Sequence, residues 1–177
     1  HYFQMFKRTT ATNKVLGLKK RTKIVQGGTS ASKTYSILAV LIDKAIRTPN
    51  LEISVVAESI PHLRRGALKD FLKILKWTNR YYDDQFNKSL LTYQLKNGST
   101  FEFFSADDSS KLRGARRDIL YINECNNVNF ESYNELSIRT KKEVYLDFNP
   151  ANEFWVHTEL KDEPDSDFII LTYKDNE

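Results

Sequence analysis

Apolar residues in this chain come in short dense runs, and the period of those runs alternates between that of a strand and that of a helix. Lys23-Ile24-Val25-Gln26 is a short apolar strand, and residues 35–47 follow as an uninterrupted helical stretch. Residues 51–57 are rich in β-formers. Ser59 and Pro61 then mark a helix start, after which Leu63, Ala67, Leu68, Phe71, Leu72 and Leu75 recur at helical spacing. Arg65, Lys69, Lys73 and Lys76 fall on a different face of that helix. Two further β-runs, 90–95 and 100–104, flank Lys96-Asn97-Gly98-Ser99, and the Asn-Gly pair predicts a hairpin. Residues 118–122 read as a strand running into Asn123-Glu124, and residues 130–138 as a short helix. Residues 143–148 are a strand ending at Asn149-Pro150, and 168–173 are a last strand. Strands alternating with helices predict an α/β fold: a mainly parallel sheet covered on both faces, with a β-hairpin insertion.

Composition narrows the class only a little. The 177 residues suit one domain with a real core, and 40% hydrophobic against 28% charged residues is ordinary for a globular chain. No apolar run is long enough to span a bilayer, so no membrane partner is expected. A single cysteine, Cys125, excludes an internal disulfide framework and suits a reducing compartment; it reads as a small core residue rather than a nucleophile. Three histidines and one cysteine offer no zinc spacing. A net charge of +4 permits nucleic-acid contact without demanding it. His1-Tyr2-Phe3-Gln4 resembles an expression-tag remnant before Met5, which leaves 5–177 as the expected single domain.

The chemistry concentrates between the first strand and the first long helix. Gln26 ends the strand, and Gly27-Gly28-Thr29-Ser30-Ala31-Ser32-Lys33-Thr34 follows. Strand, small-residue loop, Lys-Thr and helix make up the P-loop context of a nucleoside triphosphatase. Backbone N–H groups must point at phosphate oxygens, so bulky side chains cannot line such a loop, and the helix start adds partial positive charge. Lys33 would reach the β- and γ-phosphates of ATP, and the Thr34 hydroxyl would ligate Mg²⁺. Ser32 stands where a second glycine is usual; a negative φ is expected there, because the position opens the helix.

A second half-site is expected at the end of the 118–122 strand. Glu124 is the candidate general base that orients the attacking water, against the plainer reading of a solvated strand-end carboxylate. Asn123 stands where an aspartate is usual and could accept a hydrogen bond from metal-bound water, though it brings no charge. Asn149, at the end of the 143–148 strand, is a candidate γ-phosphate sensor or else a plain Asn-Pro turn. Residues 105–117 form a polar, basic loop, from which Arg113, Arg116 or Arg117 could stabilise transition-state charge in its own or a neighbouring subunit.

Taken together, Gly-Gly-Thr-Ser-Ala-Ser-Lys-Thr, the Leu112-Arg113-Gly114 loop, the strand ending Asn123-Glu124 and the strand ending Asp147-Phe148-Asn149-Pro150 resemble the ATPase domain of terminase large subunits. These are the DNA-packaging motors of tailed bacteriophages. The resemblance implies ATP hydrolysis that drives double-stranded viral DNA into a procapsid, in the cytoplasm of the host. It implies a portal protein and a small terminase subunit as partners, and a homo-oligomeric ring during packaging that can be a monomer in isolation. Lys33 and Thr34 match the Walker A lysine and hydroxyl, Glu124 the catalytic glutamate, and Asn149 the ATP-coupling motif. The family's nuclease domain is not expected in this chain. Two other readings stand beside this one: another P-loop DNA motor such as a helicase, and a nucleotide-binding switch without turnover.

Overall fold

The computed structural model describes residues 9–28 and 32–176. In chain order the elements are α1 (Thr10–Leu16), β1 (Thr22–Gly27), α2 (Lys33–Arg47), β2 (Glu52–Ala57), α3 (Ile60–Arg65) and α4 (Ala67–Trp77). There follow β3 (Phe86–Asn87), β4 (Thr92–Gln94), β5 (Thr100–Ser105), α5 (Ser109–Leu112), β6 (Arg117–Ile122), α6 (Phe130–Ser137), β7 (Thr140–Phe148) and β8 (Ser166–Leu171). The strands form one sheet in the order β3-β4-β5-β2-β6-β7-β1-β8. The β3–β4 and β4–β5 pairs are antiparallel and the others parallel.

Strand alternation feeds two cores. Val25, Val55, Tyr121 and Tyr145 point to the face covered by α1, α2 and α4, while their chain neighbours Ile24, Val56, Ile122 and Leu146 point to the face covered by α6. Both faces are therefore buried, which is why these strands read as continuous apolar runs. α2 is apolar around most of its circumference because it lies against the sheet and is flanked by α1 and α4.

The hairpin forms as the Asn-Gly pair predicts. Gly98 has φ +89°, and a Cβ there would sit 2.1 Å from Asn50 Oδ1, so only glycine fits. Asn97 Nδ2 donates to Ala45 O at 2.8 Å and ties the turn to the end of α2. The hairpin's second strand, β5, also pairs in parallel with β2, so it belongs to the central sheet.

The sequence reading did not give β3, α5 or α1, and one expected helix is divided. α1 is only seven residues long, with Ala11, Val15 and Leu16 its apolar positions, too short a run for periodicity to reveal it. The helix expected after Ser59 is two helices. Ser59 caps α3, accepting from His62 N at 3.2 Å, and the chain breaks at Gly66 (φ −115°, ψ −104°) before α4. A Cβ at Gly66 would lie 3.2 Å from His62 O and 3.5 Å from Asn123 Oδ1, so the break brings backbone close against the end of β6. The basic stripe divides there as well: Arg65 ends α3, while Lys69, Lys73 and Lys76 remain on one exposed face of α4.

Candidate functional site

The ends of β1, β6 and β7 converge at the C-terminal edge of the parallel sheet, where β7 lies between the other two. Ligand crevices of open α/β sheets form at this edge. A cavity of about 330 Å³ opens there, and Lys33, Thr34, Glu124 and Asn149 all line it, with Ser32, Tyr35 and Asp70. Gln26 and Gly27 end β1 beneath it, and Gly28 follows directly. Thr29, Ser30 and Ala31 lie outside the described residues.

Lys33 is 5% exposed, and its Nζ donates to Asn149 Oδ1 at 2.6 Å. The Lys-Thr pair and the strand-end asparagine, more than a hundred residues apart in sequence, are thus in direct contact. Ser32 departs from expectation. Its φ is +56° and ψ +32°, so it occupies the left-handed region rather than opening the helix with a negative φ. The usual glycine at this position has a conformational reason, and a serine costs roughly 1–2 kcal/mol there.

Beneath the cavity lies a buried network that sequence reasoning did not identify. Asp147, on β7, has no solvent exposure. It accepts hydrogen bonds from the Tyr121 hydroxyl, from Asn123 Nδ2 at 3.2 Å and from Glu124 N at 2.6 Å. Burial pushes the Asp147 carboxyl above the usual carboxylate range; the Lys33 charge and these hydrogen bonds oppose that shift. Burial, with the adjacent Asp147 charge, likewise pushes the Tyr121 phenol well up. The network explains how Glu124 holds φ +51° and ψ +58° in the left-handed region, since its N–H is tied to Asp147 and its carbonyl accepts from Asn127 N at 3.0 Å. The available signal was Asp147 itself, the one acidic residue in the apolar end of its strand.

The role expected of Asn123 changes. Its Nδ2 faces Thr34 Oγ1 at 3.2 Å as well as Asp147, so it presents a donor where an acceptor for metal-bound water is expected. Turning the amide over would set its oxygen against a carboxylate. Its Oδ1 instead faces Gly66. The buried carboxyl group of this cluster is therefore Asp147, one hydrogen bond behind Asn123.

Glu124 has a partner that the sequence reading did not find. His62 Nε2–H of α3 donates to Glu124 Oε2, and His62 Nδ1 lies 3.3 Å from Glu58 Oε1. The arginines are not brought to the cavity within this chain. Arg113 and Arg116 are exposed, and neither lines it. Arg116 lies beside the start of β6, a strand length of roughly 20 Å from Glu124. Arg117 is structural: buried, it donates to Ser54 Oγ at 2.8 Å and to Leu136 O at 3.0 Å. Cys125 is fully buried, and burial pushes its thiol well up, as befits a core residue.

A Lys-Thr helix start, a strand-end glutamate and a buried carboxylate at one edge of a parallel sheet define a nucleoside-triphosphatase fold of the P-loop class. The phage terminase large subunit family matches residues 19–177, and the chain belongs to that family. No curated protein sequence matches it. Among solved structures, the large terminase of a thermophilic bacteriophage superposes with a TM-score of 0.81 at 20% identity, over 95% of this chain and 46% of that one. The same terminase in complex with ATP-gamma-S gives a TM-score of 0.78 at 20% identity, over 95% of this chain and 45% of that one. The large terminase ATPase domain of Thermus phage P74-26 gives 0.76 at 14% identity, over 95% of this chain and 83% of that domain. The chain spans about half the length of the first of these terminases. At these identities the likeness establishes the fold: a mixed α/β sheet flanked by helices.

Proposed function

We propose that this chain hydrolyses ATP and that hydrolysis drives translocation of double-stranded viral DNA into a procapsid. The observation that carries the reading is the convergence of Lys33, Thr34, Glu124 and Asn149 on one cavity at the C-terminal sheet edge. Lys33 and the backbone of residues 27–34 bind the phosphates. Glu124 orients water toward the γ-phosphate, and Asn149, already bonded to Lys33, senses that phosphate and relays its loss along β7. A related terminase binds ATP-gamma-S and another structure of it holds ADP, which supports ATP as the ligand.

The residues present fit Mg²⁺. Thr34 offers a hard oxygen at the helix start, and the Asp147 carboxyl lies one residue behind it through Asn123. Mg²⁺ keeps most of its water and binds with substrate phosphates, so a single protein hydroxyl suffices. When bound, the ion neutralises charge on the β- and γ-phosphates.

Arg113 and Arg116 are exposed, so their proposed part is in trans, toward the nucleotide of a neighbouring subunit in a ring. DNA is assigned to the face bearing Lys69, Lys73 and Lys76, with Arg65 at its end. Portal protein and small terminase subunit are the proposed assembly partners, and the host cytoplasm is the proposed compartment. Reading Asn123 as a donor keeps the rival of a nucleotide switch without turnover in view.

The test separates binding from turnover. Lys33→Ala should weaken ATP binding in calorimetry and abolish hydrolysis, while Glu124→Gln should bind ATP as the parent does and lose turnover. Unchanged hydrolysis in Glu124→Gln refutes the assignment of the base, and a parent chain with no hydrolysis favours the switch.

A further inference from the structure

The imidazole of His62 lies between two carboxylates that end adjacent parallel strands. Glu58 directly follows β2, Glu124 follows β6, and β2 and β6 are hydrogen-bonded neighbours. His62 reaches both from the first turn of α3, where the Ser59 cap holds its backbone N–H. The ring is about one-fifth exposed and lies behind Glu124, which itself lines the cavity. We infer that His62 is a positioning residue for Glu124: it holds one carboxylate oxygen so that the other is presented to the nucleotide cavity. This inference rests on the reading of Glu124 as the water-orienting base.

The geometry requires such a partner. The Glu124 backbone is fixed by Asp147, but its side chain has free torsions beyond Cβ, and a base that rotates away from its water loses the advantage of orientation. Among the described residues, the other hydrogen bonds to Glu124 involve its backbone, whereas His62 holds the carboxylate. Bases in active sites are commonly oriented by a third group through a hydrogen bond on the far side. Here that third group is the His62 ring, whose Nδ1 faces Glu58 and donates to it when both ring nitrogens carry protons. Because His62 and the Gly66 break lie on the same short helix, and Gly66 approaches Asn123, α3 places the imidazole and the end of β6 in one register.

The experiment compares steady-state ATP hydrolysis and ATP binding across four proteins: parent, Glu124→Gln, His62→Ala and His62→Gln. The glutamine amide carries a donor near the position of Nε2, and alanine carries none. The expected result is a fall in kcat of roughly tenfold or more in His62→Ala. KM and calorimetric affinity should stay within about twofold, since the phosphate-binding groups are untouched. Turnover should recover at least partly in His62→Gln, and added free imidazole should raise kcat of His62→Ala but not of the parent. Parental kcat in His62→Ala, with Glu124→Gln inactive, overturns the inference while leaving the role of Glu124 intact. Equal loss in both His62 variants, with no response to imidazole, also overturns it, because that pattern belongs to a residue that only supports the fold. Full activity of Glu124→Gln instead refutes the underlying reading of the base.

Discussion

Replacing Asp147 by alanine should destabilise the domain by about 3–5 kcal/mol, the cost of stranding buried donors. Three groups lose their acceptor: the Tyr121 hydroxyl, Asn123 Nδ2 and Glu124 N. Each unsatisfied buried group costs roughly 1–3 kcal/mol. Two offsets lower the sum. Asn123 Nδ2 already lies 3.2 Å from the Tyr121 hydroxyl, so that pair can satisfy itself in part. The variant also no longer buries a carboxylate that burial disfavours. Asp147→Asn should cost only about 1–2 kcal/mol, since its carbonyl still accepts and its amide can donate to Tyr121. Asn123→Asp should be worse tolerated than its small size suggests. Two carboxylates 3.2 Å apart repel by roughly 5 kcal/mol at an effective dielectric of 20, so one must hold a proton. The exchange Asn123→Asp with Asp147→Asn restores one charge and should regain most of the loss. Urea unfolding of the four variants measures each value. If Asp147→Ala lies within about 0.5 kcal/mol of the parent, the network does not hold the end of β6 and the reasoning fails.

Other expectations concern charge and backbone. Glu143 accepts from Lys23 and Lys44, both at 2.8 Å; burial alone would raise its carboxyl, but the two lysines hold it below the usual range. Glu143 therefore contributes stability above about pH 4.3, lost as pH falls through the depressed folded value, and Glu143→Gln should cost roughly 1–3 kcal/mol at pH 7 with the difference vanishing in acid. Equal gaps at both pH values in urea melts would count against the ion pair. Ser32→Gly should raise stability by about 1 kcal/mol by relieving the positive φ, and any loss of stability would contradict the left-handed assignment. Reversing Lys69 and Lys73 to Glu should weaken duplex binding and flatten the slope of log K against log salt by about 2, with basal hydrolysis preserved; an unchanged slope in fluorescence anisotropy moves the DNA path off α4.

The elements that carry the site are legible in the sequence because their physics is local. A β-run, a small-residue loop and an uninterrupted helical stretch announce β1, the loop and α2 without reference to anything distant. The Asn97-Gly98 turn announces its hairpin because only glycine tolerates φ +89°. Lys33, Thr34, Glu124 and Asn149 could be named because each sits at an element end where a P-loop enzyme needs that chemistry. Tertiary structure decided what those groups touch. Sheet order sets β7 between β1 and β6, and that places Asp147 against Asn123 and Asn149 against Lys33, contacts spanning 24 and 116 positions. The same order puts Arg116 at the opposite edge of the sheet. His62 meets Glu124 across 62 residues because α3 breaks at Gly66, and a single glycine in a helical pattern does not say which way the chain will turn. Sequence periodicity reports the burial of a residue along its own element; the partner of a buried polar group depends on strand order, which no local pattern encodes.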